Sequence, residues 1–221
     1  MDLSNIAFPA EWTFAFWVVA LLVLPVAVVM AKRNAQTGYA ITPAWHGGIA
    51  TCVLLWSLQA TVSGNFTFHL LGMAGLTLAL GAPLALVSAA VVVAVHLLIH
   101  GGAWQNFAVV WVTLGVTAIA VSWLTLRVAE RFLAPNFFIY IFVVAFFGTA
   151  LSLAVAGLLS ISVFALATDA PLTHMLSNYA PYLLQLGFGE AALTGMIVTI
   201  GVVYRPQWVA TFDDARYLKP R

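Results

Sequence analysis

Charge is what this sequence has least of: eight Lys and Arg and seven Asp and Glu in 221 residues, 7% of the chain. An ordinary soluble domain carries roughly 25%, so a water-facing surface on all sides is excluded. Cysteine is nearly absent. The single Cys52 rules out a disulfide within the chain and any cysteine cluster for a metal. A net charge of +1, with no basic run longer than Lys32–Arg33, argues against nucleic acid as a partner. No P-loop, no Gly-x-Ser-x-Gly elbow and no paired carboxylates with a base are present, so an enzyme would have to rest on histidines alone. The opening "MDLSNIAFPAEW" has Asp2 and Glu11 but no basic residue; a cleaved signal peptide is not expected, and the first apolar run should be retained as a helix.

What is abundant is apolar: 63% of residues, with a mean hydropathy of +1.04. Runs of about 18 or more such residues recur, each able to cross a hydrocarbon core as a self-satisfied helix. The expectation is an all-α integral membrane protein, one polytopic domain over residues 1–221, with about seven transmembrane helices. The path runs through 12–31, 45–62, a short hairpin at 69–100 broken at "GAP" 81–83, then 107–126, 137–167 and 182–204. The 69–80 arm either spans or is re-entrant. The 137–167 run reads as one long helix or as a helix with a turn near Gly157. On this path Lys32, Arg33, Arg127, Arg131, Arg205, Arg216, Lys219 and Arg221 fall on one side, the cytoplasmic side by the positive-inside rule. That puts the N-terminus outside and residues 205–221 in the cytoplasm as a short tail of a multi-pass membrane protein. Trp12, Trp45, Trp104 and Trp208 fit an interfacial belt, and Trp56, Trp111 and Trp123 the core. Gly148, Ser152, Ala156 and Ser160 make a small-residue stripe for close helix packing.

The few polar groups then stand out. His96 and His100, in "VHLLIHGG", are four apart and share a helix face, as chelating pairs do. His69 opens the paired arm on the same outer side. Three imidazoles there suit zinc, nickel, copper or cobalt; the alternative is histidines ending helices at the headgroup level, which fits His46 and His174 better. Glu190 is the one carboxylate at membrane depth, where such a group is paired, protonated or functional. It can serve as a pathway or coupling group or as a structural acceptor. Asp2 and Glu11 could lend charge to a cation site.

The stretch "GNFTFHLLGMAGLTLALGAPLALVSAAVVVAVHLLIHGGAWQN" resembles the central hairpin of the CbiM-like membrane subunits of cobalt/nickel-type energy-coupling-factor (ECF) ABC transporter permeases. His69, the Gly81–Pro83 turn, Gly101, Gly102 and Asn106 carry the match. "GFGEAALTGMIVTIGVVYRP", with Glu190, resembles the family's last helix, and the tail resembles a proteobacterial branch. The resemblance implies a substrate-capturing subunit, not an enzyme. It would take a divalent transition-metal ion at the outer face, with no tightly bound cofactor. A separate transmembrane coupling subunit and ATPase subunits would be its partners. Better-known members begin Met-His and use the terminal amine, the second-position histidine and the hairpin histidine as ligands. Here only Met1 and His69 match. Asp2 is a harder oxygen ligand, and His96 and His100 are the candidates to compensate, giving Met1, Asp2, His69, His96 and His100 as the metal set and Glu190 and Asn106 as pathway or coupling residues. A non-transporting scaffold or metalloprotein-assembly factor, or a haem- or metal-binding redox subunit, are the alternatives.

Overall fold

An apolar run inside a bilayer satisfies its backbone donors and acceptors only by closing them on itself, and this chain does so along most of its length. The computed structural model describes residues 2–35, 41–62, 66–168 and 170–218; Met1, Lys219 and Arg221 lie outside them, as does the side chain of His174. Helix α1 is Ala10–Ala35, with Glu11 in its first turn and Lys32 and Arg33 in its last, charges that complement the helix dipole. Helix α2 is Ile41–Ser57, α3 is Met73–Leu80 and α4 is Ala82–His100. Helix α5 is Trp104–Phe132, α6 is Ile139–Thr168 and α7 is Leu172–Tyr204. A one-turn α8, Asp214–Tyr217, follows in the tail.

Among the described residues five segments are long and apolar enough to cross a membrane: Ala10–Arg33, Ala82–His100, Trp104–Phe132, Ile139–Thr168 and Met175–Tyr204. The chain is an all-α, multi-pass membrane protein. Of the seven expected crossings, α2 has 17 residues and α3 only eight; at about 1.5 Å per residue α3 rises about 12 Å and does not span.

Several expected boundaries move: the first helix runs to Ala35, the second begins at Ile41 and the 107–126 crossing runs on to Phe132, and three further shifts have a visible cause. The second helix ends at Ser57 rather than near residue 62, because Ala60–Val62 instead forms a strand, β1, paired antiparallel with β2, Phe66–Phe68. The third starts at Met73 rather than His69, since Gly72 takes a left-handed φ of 70° that ends any helix running back through it. The last starts at Leu172 rather than Tyr182, with Pro181 inside it. Proline removes one donor there, but the surrounding apolar residues still have no better way to pair their backbone. The 137–167 run is one helix through Gly157.

"GAP" breaks the hairpin as expected, in a single residue: α3 stops at Leu80, Gly81 turns with φ 78°, and α4 begins at Ala82 with Pro83 in its first turn. Gly148, Ser152, Ala156 and Ser160 are all buried, and a Cβ on Gly148 would stand 2.9 Å from Thr125 of α5. The small-residue stripe is spent inside the bundle. Trp56 and Trp111 are core residues, whereas Trp123, expected there too, is 41% exposed, with its ring under the Arg127 guanidinium.

The tail folds back. Ala210 N–H donates to Ala79 O (2.9 Å) and the Thr211 hydroxyl to Leu78 O (2.7 Å), so the tail occupies carbonyls that α3 leaves open at its C-terminal end. Tyr140 of α6 meets the same Thr211 hydroxyl at 2.7 Å. Arg216 donates to Glu130 O (2.9 Å), next to the Arg127–Glu130 ion pair.

Candidate metal site

Between β2 and α3 the chain is neither strand nor helix over residues 69–72, and His69 rides on that segment. Glu190 of α7, 1% exposed, holds it: Leu71 N–H donates to Oε2 at 2.6 Å and Gly72 N–H to Oε1 at 3.0 Å. These are the donors of a strand-to-helix junction that has no other acceptor. Trp56 of α2 donates its indole N–H to Leu71 O at 2.9 Å. Gly72 sits so close to α2 that a Cβ there would lie 2.6 Å from Cys52 Sγ.

The N-terminal segment lies across the same end of the bundle. Asp2 N–H donates to Thr67 O (2.9 Å) beside β2. The Asn106 amide donates to the carbonyls of Leu3 (3.3 Å), Ser4 (3.0 Å) and Ile6 (2.7 Å), and Ala103 N–H donates to Ser4 O at 3.1 Å. Gly101 caps α4 with a φ of 67°. Gly102 lets the segment approach, a Cβ there reaching within 3.1 Å of Ser4 Cβ.

Between these two layers lie the three histidines. The ring centroids of His69 and His96 are 5.7 Å apart and those of His96 and His100 are 4.7 Å apart. Trp56 walls the cluster, its ring 4.4 Å from that of His69 and 5.2 Å from that of His96. His69 is 5% exposed and His96 3%. His96 Nε2 lies 3.1 Å from Asp2 Oδ2, and Asp2 also accepts Ser4 N–H and the Ser4 hydroxyl, both at 2.9 Å. Burial opposes the Asp2 charge, but the His96 hydrogen bond and the facing imidazoles outweigh it and hold the carboxyl below the usual carboxylate range. For His69, burial dominates the opposing pull of Asp2 and pushes its pKa down to about 4, so the ring is neutral at pH 7, the form that binds metals. Three nitrogens of the cluster, His69 Nε2, His96 Nδ1 and His100 Nε2, are buried without a partner. No three His, Cys, Asp or Glu side chains among the described residues already stand in metal-holding geometry.

The structure thus gathers His69, His96, His100 and Asp2, with Asn106 fastening the segment that carries Asp2 and Glu190 the segment that carries His69. Met1 lies outside the described residues, and Glu11 starts α1 without joining the cluster's hydrogen bonds. Sequence reading passed over Trp56 as plain core, and over Ser4 and Thr67 altogether. Asp2-x-Ser4 is a readable signal, since an Asp side chain commonly bonds the backbone two residues on. Nothing local marks Trp56, whose partner Leu71 is reached only through the fold.

The model of the CbiM family, "Cobalt uptake substrate-specific transmembrane region", matches residues 3–208 of the chain. Among solved structures, that of a truncated transition metal transporter aligns with a TM-score of 0.77 at 19% identity, over 89% of this chain and 96% of that one. A second, of a transition metal transporter, aligns with a TM-score of 0.70 at 19% identity, over 88% and 91% respectively. At that identity the likeness is one of fold. No curated protein sequence matches the chain significantly.

Proposed function

The chain belongs to the CbiM family, the cobalt uptake substrate-specific transmembrane region, and from that premise we propose that it is the substrate-binding membrane subunit of a transition-metal uptake transporter. It captures a divalent cobalt- or nickel-like ion at the outer face of a bacterial inner membrane. Its N-terminus is outside and its tail cytoplasmic. Transport is driven by a separate transmembrane coupling subunit and ATPase subunits of the energy-coupling-factor kind, and the chain itself catalyses no reaction. The ion is the cargo. It is held where His69, His96 and His100 meet the segment that carries Asp2; Glu190 and Asn106 keep the two layers of that site in register and so link its occupancy to α7 and α5.

One observation carries this reading. Three imidazole nitrogens of one histidine cluster are buried with no hydrogen-bond partner, a cost of about 1–3 kcal/mol each that a bound cation would remove. The test is equilibrium binding of Co²⁺ and Ni²⁺ to the purified protein, wild type and His69→Ala, followed by uptake into vesicles holding the chain with its coupling and ATPase partners. Micromolar or tighter binding that His69→Ala abolishes, and uptake that fails with it, is the expected result. A wild-type protein that binds neither ion would sink the proposal and favour the non-transporting scaffold.

A further inference from the structure

The cluster contains more potential donors than an ion needs, and their hydrogen bonds sort them. Both Asp2 oxygens are engaged: Oδ1 accepts Ser4 N–H at 2.9 Å, and Oδ2 accepts the Ser4 hydroxyl at 2.9 Å and His96 Nε2–H at 3.1 Å. Ser4 is itself pinned by Asn106 and Ala103. Three bonds thus already orient this carboxylate toward Ser4 and His96. The imidazoles are in the opposite state. Six buried side-chain nitrogen or oxygen atoms among the described residues have no partner, and three of them are the imidazole nitrogens of this one cluster. Buried polar atoms are nearly always paired, so three orphans together call for a ligand.

The second nitrogens of two rings explain which atoms are left free. His96 Nε2 faces Asp2, and a carboxylate can only accept, so Nε2 carries the hydrogen and Nδ1 keeps the lone pair. His69 Nδ1 faces Leu70 O at 3.2 Å, which likewise makes it the donor and leaves the lone pair on Nε2. An outer oxygen that accepts from one ring nitrogen and aims the other is how proteins fix metal-binding histidines. With metal–nitrogen bonds of about 2.0–2.1 Å, two imidazoles on a tetrahedral ion have centroids about 5 Å apart; His69–His96 at 5.7 Å and His96–His100 at 4.7 Å are near that value, and because the three rings do not yet converge on one point, closing the set requires side-chain rotation on binding. The buried Trp56 ring packs against both His69 and His96.

We infer that His69 Nε2, His96 Nδ1 and His100 Nε2 form a three-imidazole set that takes a divalent ion in four-coordinate tetrahedral geometry, Zn²⁺ or Co²⁺ rather than Ni²⁺, and that Asp2 is a positioning residue for His96, not a ligand. This rests on the metal-cargo reading and narrows it. The fourth position is left to water or to an exchangeable donor, as in open zinc sites. Nickel would gain least, since a nitrogen and oxygen set that favours it is square-planar or tetragonal. An unconstrained site would instead bind Ni²⁺ more tightly than Co²⁺.

The full chain, purified in detergent, is titrated with Co²⁺ and followed by visible absorption, then challenged with Zn²⁺ and with Ni²⁺ at equal concentration. Expected are the intense bands of four-coordinate cobalt, displaced by Zn²⁺ and not by Ni²⁺. His96→Ala and His100→Ala should each abolish the bands and weaken binding by more than about 100-fold. Asp2→Asn should keep the bands and weaken binding by about 10–100-fold, the range for loss of an outer-shell partner. His100 sits at a partly accessible helix end, so its variant tests the set even if His96→Ala fails to fold. Weak six-coordinate bands, preference for Ni²⁺, or unchanged affinity in His100→Ala would overturn the donor set. Loss of the bands in Asp2→Asn would make Asp2 a ligand and overturn its positioning role. If His69→Ala abolishes binding while the His96 and His100 variants bind normally, the donor set falls and the cargo reading stands; if the wild type binds none of the three ions, both fall.

Discussion

The two ends of α3, a helix of eight residues, are finished in opposite ways. At the C-terminal end every feature is closed: Gly81 turns the chain, the tail donates to Leu78 and Ala79, and Tyr140 completes the Thr211 hydroxyl. At the N-terminal end the backbone is held as firmly, by Glu190 and Trp56, yet the side chains it presents include imidazole nitrogens with nothing to bond. A sequence that saturates one end and leaves the other open is accepting a local cost, and such violations are expected where a ligand binds. The difference separates scaffold from site within one short element.

The sharpest way to break the comparison is to remove the ligand without touching the frame. His69→Ala should cost more than about 100-fold in Co²⁺ affinity, above the range for an outer-shell group, while leaving stability unchanged or slightly higher, because it deletes a buried unpartnered nitrogen. Binding calorimetry paired with thermal unfolding in detergent reads both. A large loss of stability would mean that the ring is packing rather than site.

Glu190 tests the frame on the same end. Glu190→Ala leaves the buried Leu71 N–H and the part-buried Gly72 N–H without an acceptor, which should cost about 3 kcal/mol and lower metal affinity as the His69 segment loosens. Glu190→Gln keeps one acceptor oxygen and should recover part of both. Denaturant titration in mixed micelles measures the first effect. Equal stability of the alanine and glutamine variants would show that the two bonds do not hold the junction.

Asn106→Ala should follow at about 2 kcal/mol, concentrated in the N-terminal segment whose Leu3, Ser4 and Ile6 carbonyls it binds. Hydrogen exchange should speed up across residues 2–8 more than in α5 itself. Metal affinity should drop about tenfold, since a freed segment no longer holds Asp2 against His96. Exchange unchanged in 2–8 would remove Asn106 from the frame.

Much of this was legible before the fold. Low charge and recurrent apolar runs gave the membrane class, "GAP" gave the hairpin break, and the i, i+4 spacing of His96 and His100 put two imidazoles on one face. The partners of Glu190 and Asn106 were not legible, because each bonds backbone more than 80 residues away in sequence, and backbone acceptors and donors leave no residue-type signature. The boundary at Gly72 was hidden for a similar reason: nothing in "HLLGMAGL" breaks an apolar helical pattern, and it is the carboxylate from α7 that accepts the Leu71 and Gly72 N–H groups where the chain leaves helical geometry. The start of α7 was misplaced because Pro181 reads as a breaker in water, while in an apolar bundle the helix persists through it.

The smallest effect belongs to the closed end, and it is the control for the rest. Thr211→Val removes a hydroxyl that donates to Leu78 O at 2.7 Å and meets Tyr140 at 2.7 Å, in a residue of nearly unchanged shape. The Leu78 carbonyl keeps its bond from Thr211 N–H (3.3 Å), so no acceptor is orphaned there and the expected cost is about 1 kcal/mol, a shift in Tm of a few degrees. Co²⁺ affinity should not move, because nothing at this end touches the imidazoles. Were affinity to fall as far as in Asn106→Ala, α3 would be transmitting tail docking to the histidine cluster, and its two ends would have to be treated as one coupled unit rather than as scaffold and site.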